Sequence, residues 1–380
     1  MLENEVKVEK KFHILHTEWS SGWGGQEQRI ILECRKAKER GHEVLIACQP
    51  GSGILAKAQE SGIPTAIVVM RSGFDLRAIL QLVRLIRSRR IDVVNTHSGK
   101  DTWLGSIAAR LAGARLLVRT RHLSIPLSTS PFNFVHRMAD GIITTGEAIR
   151  QELITRNRLP AERILSIATG VSIRRFDPQA IDASEVRREL GLPHDAQVVT
   201  MVAVLRSMKR HDLFVEAARL LSARFPAARF LIVGEGPGLE WVEGLVRDAG
   251  LQGRITMTGY RQDIERILAA SDVVALTSDR FEGVPQSLSQ AMAMGLPVVA
   301  APVGSIAELV RDGETGLMAT CGDAASFADA IGRLLDDPAL RRRIGEAASR
   351  HILESYTDDI MIDRTIVFYD QLLKRREARR

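Results

Sequence analysis

The sequence predicts an α/β protein of two doubly wound, Rossmann-like domains, and three observations support this prediction. The chain of 380 residues is 45% hydrophobic and 26% charged, a globular composition with enough residues for two cores. Short β-branched segments alternate with segments of helical periodicity along most of the chain. This alternation lapses over residues 169–195, where glycines and prolines interrupt it.

The first series of segments forms the predicted N-terminal domain, residues 1–175. Its predicted strands are 12–16, 43–48, 66–69, 92–96, 116–120, 141–145 and 164–167. Its clearest predicted helices are 26–40, 75–88, 100–112 and 147–157. Strands and helices that alternate in this way form parallel sheets with right-handed crossovers.

A predicted linker, residues 176–195, leads to a second alternation, which forms the predicted C-terminal domain, residues 196–358. Its predicted strands are 198–204, 229–233, 255–258, 273–277 and 298–300. Its predicted helices are 211–224, 239–248, 264–270 and 287–294. Doubly wound sheets bind ligands outside the carboxyl ends of their strands, so we expect a central cleft between the domains to hold the site.

The composition excludes several classes of protein. Cys34, Cys48 and Cys321 form no C-x-x-C pair and are typical of buried thiols in a reducing cytoplasm. Residues 1–11 lack the apolar core of a signal peptide, and no run of about 18 apolar residues occurs. We therefore expect a cytoplasmic protein without a membrane span.

The net charge of +6 suggests an anionic partner. No zinc-finger spacing, aromatic RNP-like strand or Arg-rich tract occurs, so nucleic acid is not expected. Two basic clusters suggest peripheral binding to the anionic inner face of the cytoplasmic membrane, with solvated helix ends as the alternative. The clusters consist of Arg84, Arg87, Arg89 and Arg90 and of Lys374, Arg375, Arg376, Arg379 and Arg380.

The most informative segment is residues 281–300, FEGVPQSLSQAMAMGLPVVA. Pro285 suits the first turn of a short helix, Gly295 ends this helix, and a β-branched strand follows. The helix N-terminus suits a phosphate, and Glu282 just before it can accept hydrogen bonds from sugar hydroxyls. The alternative is an ordinary strand–helix–strand unit with a surface glutamate.

This segment resembles the donor-binding motif of the retaining GT-B glycosyltransferases of group 1 (family 4), which has two glutamates separated by seven residues. Glu282 occupies the first position, and Gln290 occupies the second. The resemblance implies that the first contacts the donor sugar and the second binds the ribose, where a glutamine keeps an acceptor oxygen but lacks the charge. It also assigns to the donor site Gly283, Val284, Gln286 and Ser287.

A glycine-rich loop after the first strand, with Gly24, Gly25 and Glu27, resembles the Gly-Gly-x-Glu loop of the same family, which lies beside the donor diphosphate and acceptor. The third glycine of the dinucleotide fingerprint is missing, and Glu27 would place negative charge near a pyrophosphate. A nicotinamide dehydrogenase is therefore disfavoured. A simple tight turn is the alternative.

Two cations, Arg206 and Lys209, follow the predicted strand 198–204 and suit a diphosphate. The family commonly has an arginine at the position of Val204, so we expect Arg206 to supply that guanidinium; an exposed basic loop is the alternative. Further loops that match family loops near the donor and its base contain Gly234, Tyr260 and Arg261.

His97 and His122 each end a predicted strand of the first domain, so we expect both to face the cleft. His122 lies in Thr-Arg-His, which resembles the family's Thr-x-His near the reacting sugar; a histidine bonded to backbone is the alternative for both.

The loop that follows His122 is apolar, which suits a lipid-linked acceptor, although packing under a helix also explains it. Its apolar residues include Leu123, Ile125, Leu127, Phe132 and Phe134.

The resemblance implies a retaining glycosyltransferase that moves a sugar from a nucleotide diphosphate donor to a glycan or lipid-linked acceptor in bacterial lipopolysaccharide or surface polysaccharide synthesis. Glu282, His122 and Lys209 are the expected catalytic residues. No Asp-x-Asp motif ends a strand, so we expect no metal ion or other cofactor. The resemblance also implies a C-terminal helix, 359–380, that packs on the first domain. The alternatives are an epimerase of the same architecture and a silent sugar-nucleotide-binding subunit.

Overall fold

The computed structural model describes residues 10–122, 125–128, 130 and 133–378. Contacts divide the chain into two compact units, one of residues 1–170 with 358–380 and one of residues 171–357. Each unit contains a parallel sheet, which confirms the predicted fold class of two doubly wound α/β domains.

The first unit has a seven-stranded parallel sheet with strand order β3-β2-β1-β4-β5-β6-β7. The strands are β1 His13–Glu18, β2 Glu43–Cys48, β3 Thr65–Ile67, β4 Val93–Thr96, β5 Leu116–Arg121, β6 Gly141–Thr144 and β7 Ile164–Ser166. The helices that connect them are α1 Gly25–Glu39, α2 Gly53–Glu60, α3 Leu76–Ser88, α4 Gly99–Ala112, α5 Val135–Met138 and α6 Glu147–Thr155. Two hydrophobic clusters, one on each face, bury the strands on both sides, as the continuous apolar runs require.

The second unit has a six-stranded parallel sheet with strand order β10-β9-β8-β11-β12-β13. The strands are β8 Val198–Val202, β9 Arg229–Val233, β10 Ile255–Gly259, β11 Val273–Leu276, β12 Val298–Ala300 and β13 Leu317–Met318. The helices are α7 Ala183–Glu189, α8 His211–Arg224, α9 Leu239–Asp248, α10 Ile264–Ala269, α11 Gln286–Ala293, α12 Ile306–Leu309, α13 Ala324–Asp336 and α14 Pro338–Ser355.

The segment 176–195, which the sequence suggested as a linker, belongs to the second unit. Pro178, Gly191 and Pro193 flank α7, whose first turn is capped by the side chain of Asp182. Val186 on this helix is completely buried, and Arg187 pairs with Asp272 at 2.8 Å. A short capped helix between turns therefore explains the loss of periodicity that suggested a linker.

The last helix, α15 Asp358–Glu377, belongs to the first unit and packs on α1. Arg40, directly after α1, pairs with Asp363 at 2.9 Å, and Tyr369 is completely buried. The hydroxyl of Tyr369 accepts a hydrogen bond from Asn95 of β4 at 3.1 Å. In the described part of the chain, no helix is long and apolar enough to cross a membrane.

Candidate functional site

An ion pair between Lys209 and Glu282 lies at the carboxyl edge of the second sheet. Lys209 follows β8 and Glu282 follows β11, and these strands are neighbours in the sheet, so their loops emerge at one edge. Lys209 Nζ donates a hydrogen bond to Glu282 Oε1, and both side chains are mostly buried. The structure thus brings together two of the three predicted catalytic residues.

The backbone beside each member of this pair is strained. Arg210 has φ 51° and Phe281 has φ 61°, the left-handed region in which a bulky residue costs about 1–3 kcal/mol. The hydroxyl of Thr277 lies 2.8 Å from the Arg210 carbonyl oxygen, and Arg210 itself pairs with Asp212 and Asp279. Strain that neighbouring contacts hold in place is typical of functional sites, so it supports a role for both loops.

Gly304, from the loop after β12, fixes the backbone of Glu282. A Cβ atom at this position would lie 2.0 Å from the Glu282 carbonyl oxygen, and φ is +57°. The same carbonyl accepts a hydrogen bond from the N–H of Ser305 at 3.2 Å. Gly304 was not predicted, although a glycine in the loop after a buried strand was a signal for it.

Helix α11 begins after Pro285, immediately beyond the ion pair. The first backbone N–H groups of a helix have no partner within the helix and suit an anion. Val284 is buried, so its side chain packs in the core, whereas Gln290 is half-buried on α11. Gly283, Gln286 and Ser287 are also half-buried. This edge therefore offers a helix N-terminus and a cation within one short stretch of surface.

The other predicted donor residues lie on neighbouring strand ends. Arg206 is exposed after β8. A Cβ atom at Gly234, after β9, would lie 2.1 Å from the carbonyl oxygen of Ala203, so a glycine is required for packing. Arg261, after β10, pairs with Asp263 at 2.7 Å and with Glu189. Tyr260 is exposed.

The predicted glycine loop of the first unit forms the start of α1. The N–H of Gly24 donates to the Glu27 carboxylate at 2.8 Å, and α1 begins at Gly25. Glu18, at the end of β1, is completely buried and accepts hydrogen bonds from Ser20 N–H and from the side chain of Gln26. Burial, with Asp101 as a further cause, raises the pKa of Glu18 to about 8.

Three histidines form a hydrogen-bonded chain at the carboxyl ends of β1, β4 and β5. Nδ1 of His16 lies 3.0 Å from Nε2 of His97, and Nδ1 of His97 lies 3.0 Å from Nε2 of His122. Burial is the main cause that holds the pKa of His97 and of His122 well below the usual value, so both rings are neutral at neutral pH. The rings form hydrogen bonds to each other, whereas the alternative interpretation of the sequence expected them to bond to backbone groups.

A cavity of about 660 Å³ opens beside this chain within the first unit; we call it the first-unit cavity. Its polar lining comes from Gln26, Lys100, Arg119, Arg121, His122 and His136, and its apolar lining from Phe74, Trp103, Ile125, Pro126 and Leu127. Phe134 packs on Trp103 at a centroid distance of 5.2 Å. Leu123 and Phe132, also expected in this apolar loop, lie outside the described residues.

Several residues near the first-unit cavity were not predicted from the sequence. His16 lies inside β1 and Glu18 ends it. Arg119 is a charged residue inside a predicted strand, which was a signal for a functional position. Within the described ranges, no group of three or more His, Cys, Asp or Glu residues is arranged to hold a metal ion.

Two family models match the chain and together cover most of it. Residues 23–175 match Glycosyltransferase Family 4, and residues 182–351 match Glycosyl transferases group 1. A relative from Escherichia coli, UDP-Gal:alpha-D-GlcNAc-diphosphoundecaprenol alpha-1,3-galactosyltransferase, is 31% identical over 280 residues, which are 70% of this chain and 72% of the relative. The chain belongs to the group 1 glycosyltransferases. The predicted family is thereby confirmed.

Other similarities agree with this glycosyltransferase family. The chain is 26% identical to D-inositol 3-phosphate glycosyltransferase from Stackebrandtia nassauensis over 398 residues, which are 93% of this chain and 88% of the relative. The crystal structure of Anabaena HepE in complex with UDP and glucose has a TM-score of 0.83 at 22% identity and covers 95% of this chain and all of that one. This likeness identifies the GT-B fold.

Proposed function

We propose that this glycosyltransferase retains the anomeric configuration of its donor and transfers the sugar to a glycan or lipid-linked acceptor in bacterial lipopolysaccharide or surface polysaccharide synthesis. The observation that carries the proposal is the Lys209–Glu282 pair beside the N-terminus of α11. A donor diphosphate needs positive charge at the leaving group, and the sugar needs an acceptor for its hydroxyls. Lys209 supplies the positive charge at this edge of the sheet, and Glu282 supplies the hydrogen-bond acceptor.

Lys209 and Arg206 are proposed to bind the diphosphate, with the first N–H groups of α11 as further donors. In the free protein Glu282 neutralises Lys209, so donor binding must replace this contact. Glu282 would then contact the donor sugar, and Gln290 the ribose. Because the protein supplies these cations, the proposal needs no metal ion.

In the proposed reaction, the bond from the anomeric carbon to the diphosphate oxygen breaks while the acceptor oxygen bonds to that carbon on the same face. The acceptor proton passes to a phosphate oxygen of the departing diphosphate. Lys209 stabilises the negative charge that develops there. Neutral His122, whose Nε2 bonds to His97, keeps Nδ1 for a hydrogen bond to a sugar.

A lipid-linked acceptor is supported by the apolar lining of the first-unit cavity and by an exposed apolar surface on α3. Leu76 and Leu80 are 72% and 54% exposed, and they lie one turn apart with Arg84 one turn further on. Such a stripe suits the interface of an anionic membrane. The E. coli relative, by its name, transfers to a sugar on diphosphoundecaprenol. Peripheral attachment to the inner face of the cytoplasmic membrane is therefore part of the proposal.

The test is a screen of nucleotide sugars by thermal shift, followed by NMR of the product formed from the donor that binds. At a donor concentration of 100 times Kd, the free energy of unfolding should rise by about 2.7 kcal/mol. The product should keep the donor's anomeric configuration, and activity should persist in EDTA. Inversion would overturn the mechanism. Isomerisation of the free donor would indicate an epimerase, and binding without any turnover a silent subunit.

A further inference from the structure

Two arginines of β5 are buried at the first-unit cavity without an acidic partner. Arg119 is 5% exposed and Arg121 is 9% exposed, and both line the cavity. Among the described residues, neither forms an ion pair: Arg119 Nη1 lies 3.1 Å from His136 Nε2, and Arg121 donates to the carbonyl of Ile125. Arg119 Nε is buried and has no hydrogen-bond partner in the described chain.

Two carboxylates attract these arginines, Asp101 for Arg119 and Glu152 for Arg121, but both contact other groups. The Asp101 carboxylate accepts hydrogen bonds from the hydroxyl of Thr17 at 3.0 Å and from backbone N–H groups of His97 and Ser98. Glu152 pairs with Arg156 at 3.6 Å. Asp101 and Glu152 therefore attract the two arginines through space, but within the described part of the protein no carboxylate pairs directly with either guanidinium.

Both guanidinium groups nevertheless stay charged near neutral pH. Burial is the main cause that lowers the pKa of Arg119 to about 9 and that of Arg121 to about 10. Repulsion between the two arginines lowers the pKa of Arg119 further. Buried cations without a partner destabilise a fold, so their presence calls for a ligand that neutralises them.

The positions of the two arginines favour a phosphate group. Residues i and i+2 of a strand point to the same face, so Arg119 and Arg121 present their guanidinium groups to one side. Two planar forks side by side match the oxygens of a phosphate or diphosphate, with Lys100 of the cavity as a third cation. We have proposed that Lys209 and Arg206 of the second unit bind the donor diphosphate, so we assign the two arginines of the cavity to a different ligand.

The rest of the cavity suits a sugar or an apolar chain attached to that phosphate. The rings of Trp103 and Phe74 pack at a centroid distance of 5.0 Å with a tilt of 46°, and Phe74 is 66% exposed. Leu127 extends the apolar wall. A volume of about 660 Å³ is large enough for a sugar with a diphosphate.

We propose that the acceptor of this enzyme carries a phosphate or diphosphate group, which binds to Arg119 and Arg121 while its sugar or apolar part lies against Trp103. This inference rests on the proposed transferase function and identifies the acceptor class. The phosphate belongs either to a soluble sugar phosphate or to a lipid-linked sugar diphosphate, and the experiment distinguishes these sources.

Calorimetry of the full chain with inorganic pyrophosphate tests the anion site, after the donor site has been saturated with the nucleoside diphosphate that binds best. Wild-type protein should bind pyrophosphate, and Arg119→Gln and Arg121→Gln should each weaken it about tenfold or more, since hydrogen bonds to charged groups contribute about 1.5–3 kcal/mol. The matched control is Arg137→Gln, because Arg137 is exposed and does not line the cavity. Unchanged affinity in both cavity variants would overturn the proposal.

Two further variants keep the test decisive. Arg121→Lys retains the charge and should bind pyrophosphate more tightly than Arg121→Gln. Lys209→Ala should lose affinity for the nucleoside diphosphate and still bind pyrophosphate at the cavity, so a failed donor site is distinguishable from a failed anion site.

The glutamine variants should melt no lower than wild type, because they remove unpaired buried charge. A lower melting temperature with unchanged affinity would assign the arginines a structural role instead.

Transfer assays then identify the source of the phosphate. A sugar 1-phosphate and the same sugar joined through diphosphate to an undecyl chain are compared with its neutral methyl glycoside. Both phosphorylated acceptors should have a KM at least tenfold below that of the glycoside, and this difference should vanish in Arg119→Gln. If the natural acceptor is a lipid-linked sugar diphosphate, its apolar part contacts Trp103. Trp103→Ala should then raise the KM of the undecyl compound more than that of the sugar phosphate. Equal use of the glycoside would contradict the inference.

Discussion

Nδ1 of His97 lies 3.0 Å from Nε2 of His122, and both rings are neutral near neutral pH. Because a neutral imidazole has one N–H group, each hydrogen bond of the chain fixes which nitrogen carries the proton in the next ring. His16 continues the chain at 3.0 Å from His97. The chain thus sets whether Nδ1 of His122 donates or accepts toward a ligand.

His97 is therefore expected to act as a positioning residue for His122. His97→Ala should lower kcat up to about tenfold with little change in donor KM, because a misplaced His122 ring would lose a neutral hydrogen bond to the sugar, which contributes about 0.5–1.5 kcal/mol. His97→Gln, which restores a side chain able to donate and accept, should recover part of this loss. Steady-state kinetics with both variants provides the comparison.

The pH profile separates this role from simple packing. Burial is the main cause of the low pKa of His122, and water that fills the space left in His97→Ala should raise that pKa. The neutral ring is the active form, so the acid limb of kcat/KM should move to higher pH in His97→Ala and return toward the wild-type position in His97→Gln. An acid limb that stays in place in both variants would show that His97 only packs.

The contact between Lys209 and Glu282 predicts opposite effects on nucleotide binding. Lys209→Ala should weaken nucleoside diphosphate binding about tenfold or more, because a charged hydrogen bond is lost. Glu282→Gln should lower kcat about a hundredfold but leave the affinity for nucleoside diphosphate equal or higher, because the competing carboxylate charge is gone.

Calorimetry with the free nucleotide and steady-state kinetics measure these effects. Arg280→Gln serves as the control, because Arg280 is exposed beside the same loop. If both Glu282→Gln and Lys209→Ala kept wild-type turnover and nucleotide affinity, the donor site would lie elsewhere.

The strands were predictable because parallel strands are buried on both faces and appear as continuous β-branched runs. For example, β9 has the predicted bounds, Arg229–Val233. Helix α13 was missed although its buried Phe327, Ile331 and Leu334 have helical spacing, so the signal was present. Helix α7 was harder to predict, since it has seven residues between Pro178 and the turn-forming Gly191 and Pro193.

The pairs within the sites were less predictable than the elements. The His16–His97–His122 chain exists because β1, β4 and β5 are neighbours in that order, although β2 and β3 lie between β1 and β4 in the sequence. Likewise, Lys209 and Glu282 meet because β8 lies beside β11. Motif resemblance selected Glu282, Lys209 and His122, but strand order determines which side chains touch.

Gln290 tests how closely the ribose site follows the family pattern. Gln290→Ala should raise the donor KM between about twofold and tenfold, because a neutral hydrogen bond contributes about 0.5–1.5 kcal/mol. Gln290→Glu should keep or improve donor affinity if the side chain contacts the ribose hydroxyls. Donor KM and calorimetric Kd in the two variants provide the measurement. A loss in Gln290→Glu as large as in Gln290→Ala would argue against this contact.

Membrane attachment should depend on α3 more than on the C-terminus. Arg375 and Arg376 already donate to carbonyl groups of the first unit, and Arg379 and Arg380 lie outside the described residues. Leu76→Asp with Leu80→Asp should therefore greatly reduce flotation with anionic liposomes. Leu353→Asp is the control, since Leu353 is 49% exposed on α14.

Salt provides a second measurement of this attachment. High salt should weaken flotation because surface charges are screened and each well-placed cation contributes about 1 kcal/mol. Equal recovery with neutral and anionic vesicles would show that the basic surface serves another purpose.

His211 makes the stability of the second unit depend on pH. Its side chain is completely buried at the start of α8, and within the described chain neither ring nitrogen has a hydrogen-bond partner. Burial, with Lys209 as a further cause, lowers the pKa of His211 to about 4. In the unfolded chain the pKa is about 6.5, so only the unfolded state binds this proton between these values.

The free energy of unfolding should therefore fall as the pH drops from about 6.5 to about 4, with a contribution from His211 of about 3 kcal/mol over the whole window. His211→Leu removes this contribution and an unsatisfied polar ring, so it should be at least as stable at pH 7.5 and more stable than wild type at pH 4.5. Pulsed hydrogen exchange in urea, followed on peptides from residues 211–224, isolates the second unit. Parallel pH dependence in wild type and His211→Leu would show that the ring is protonated, or solvated, in the folded state.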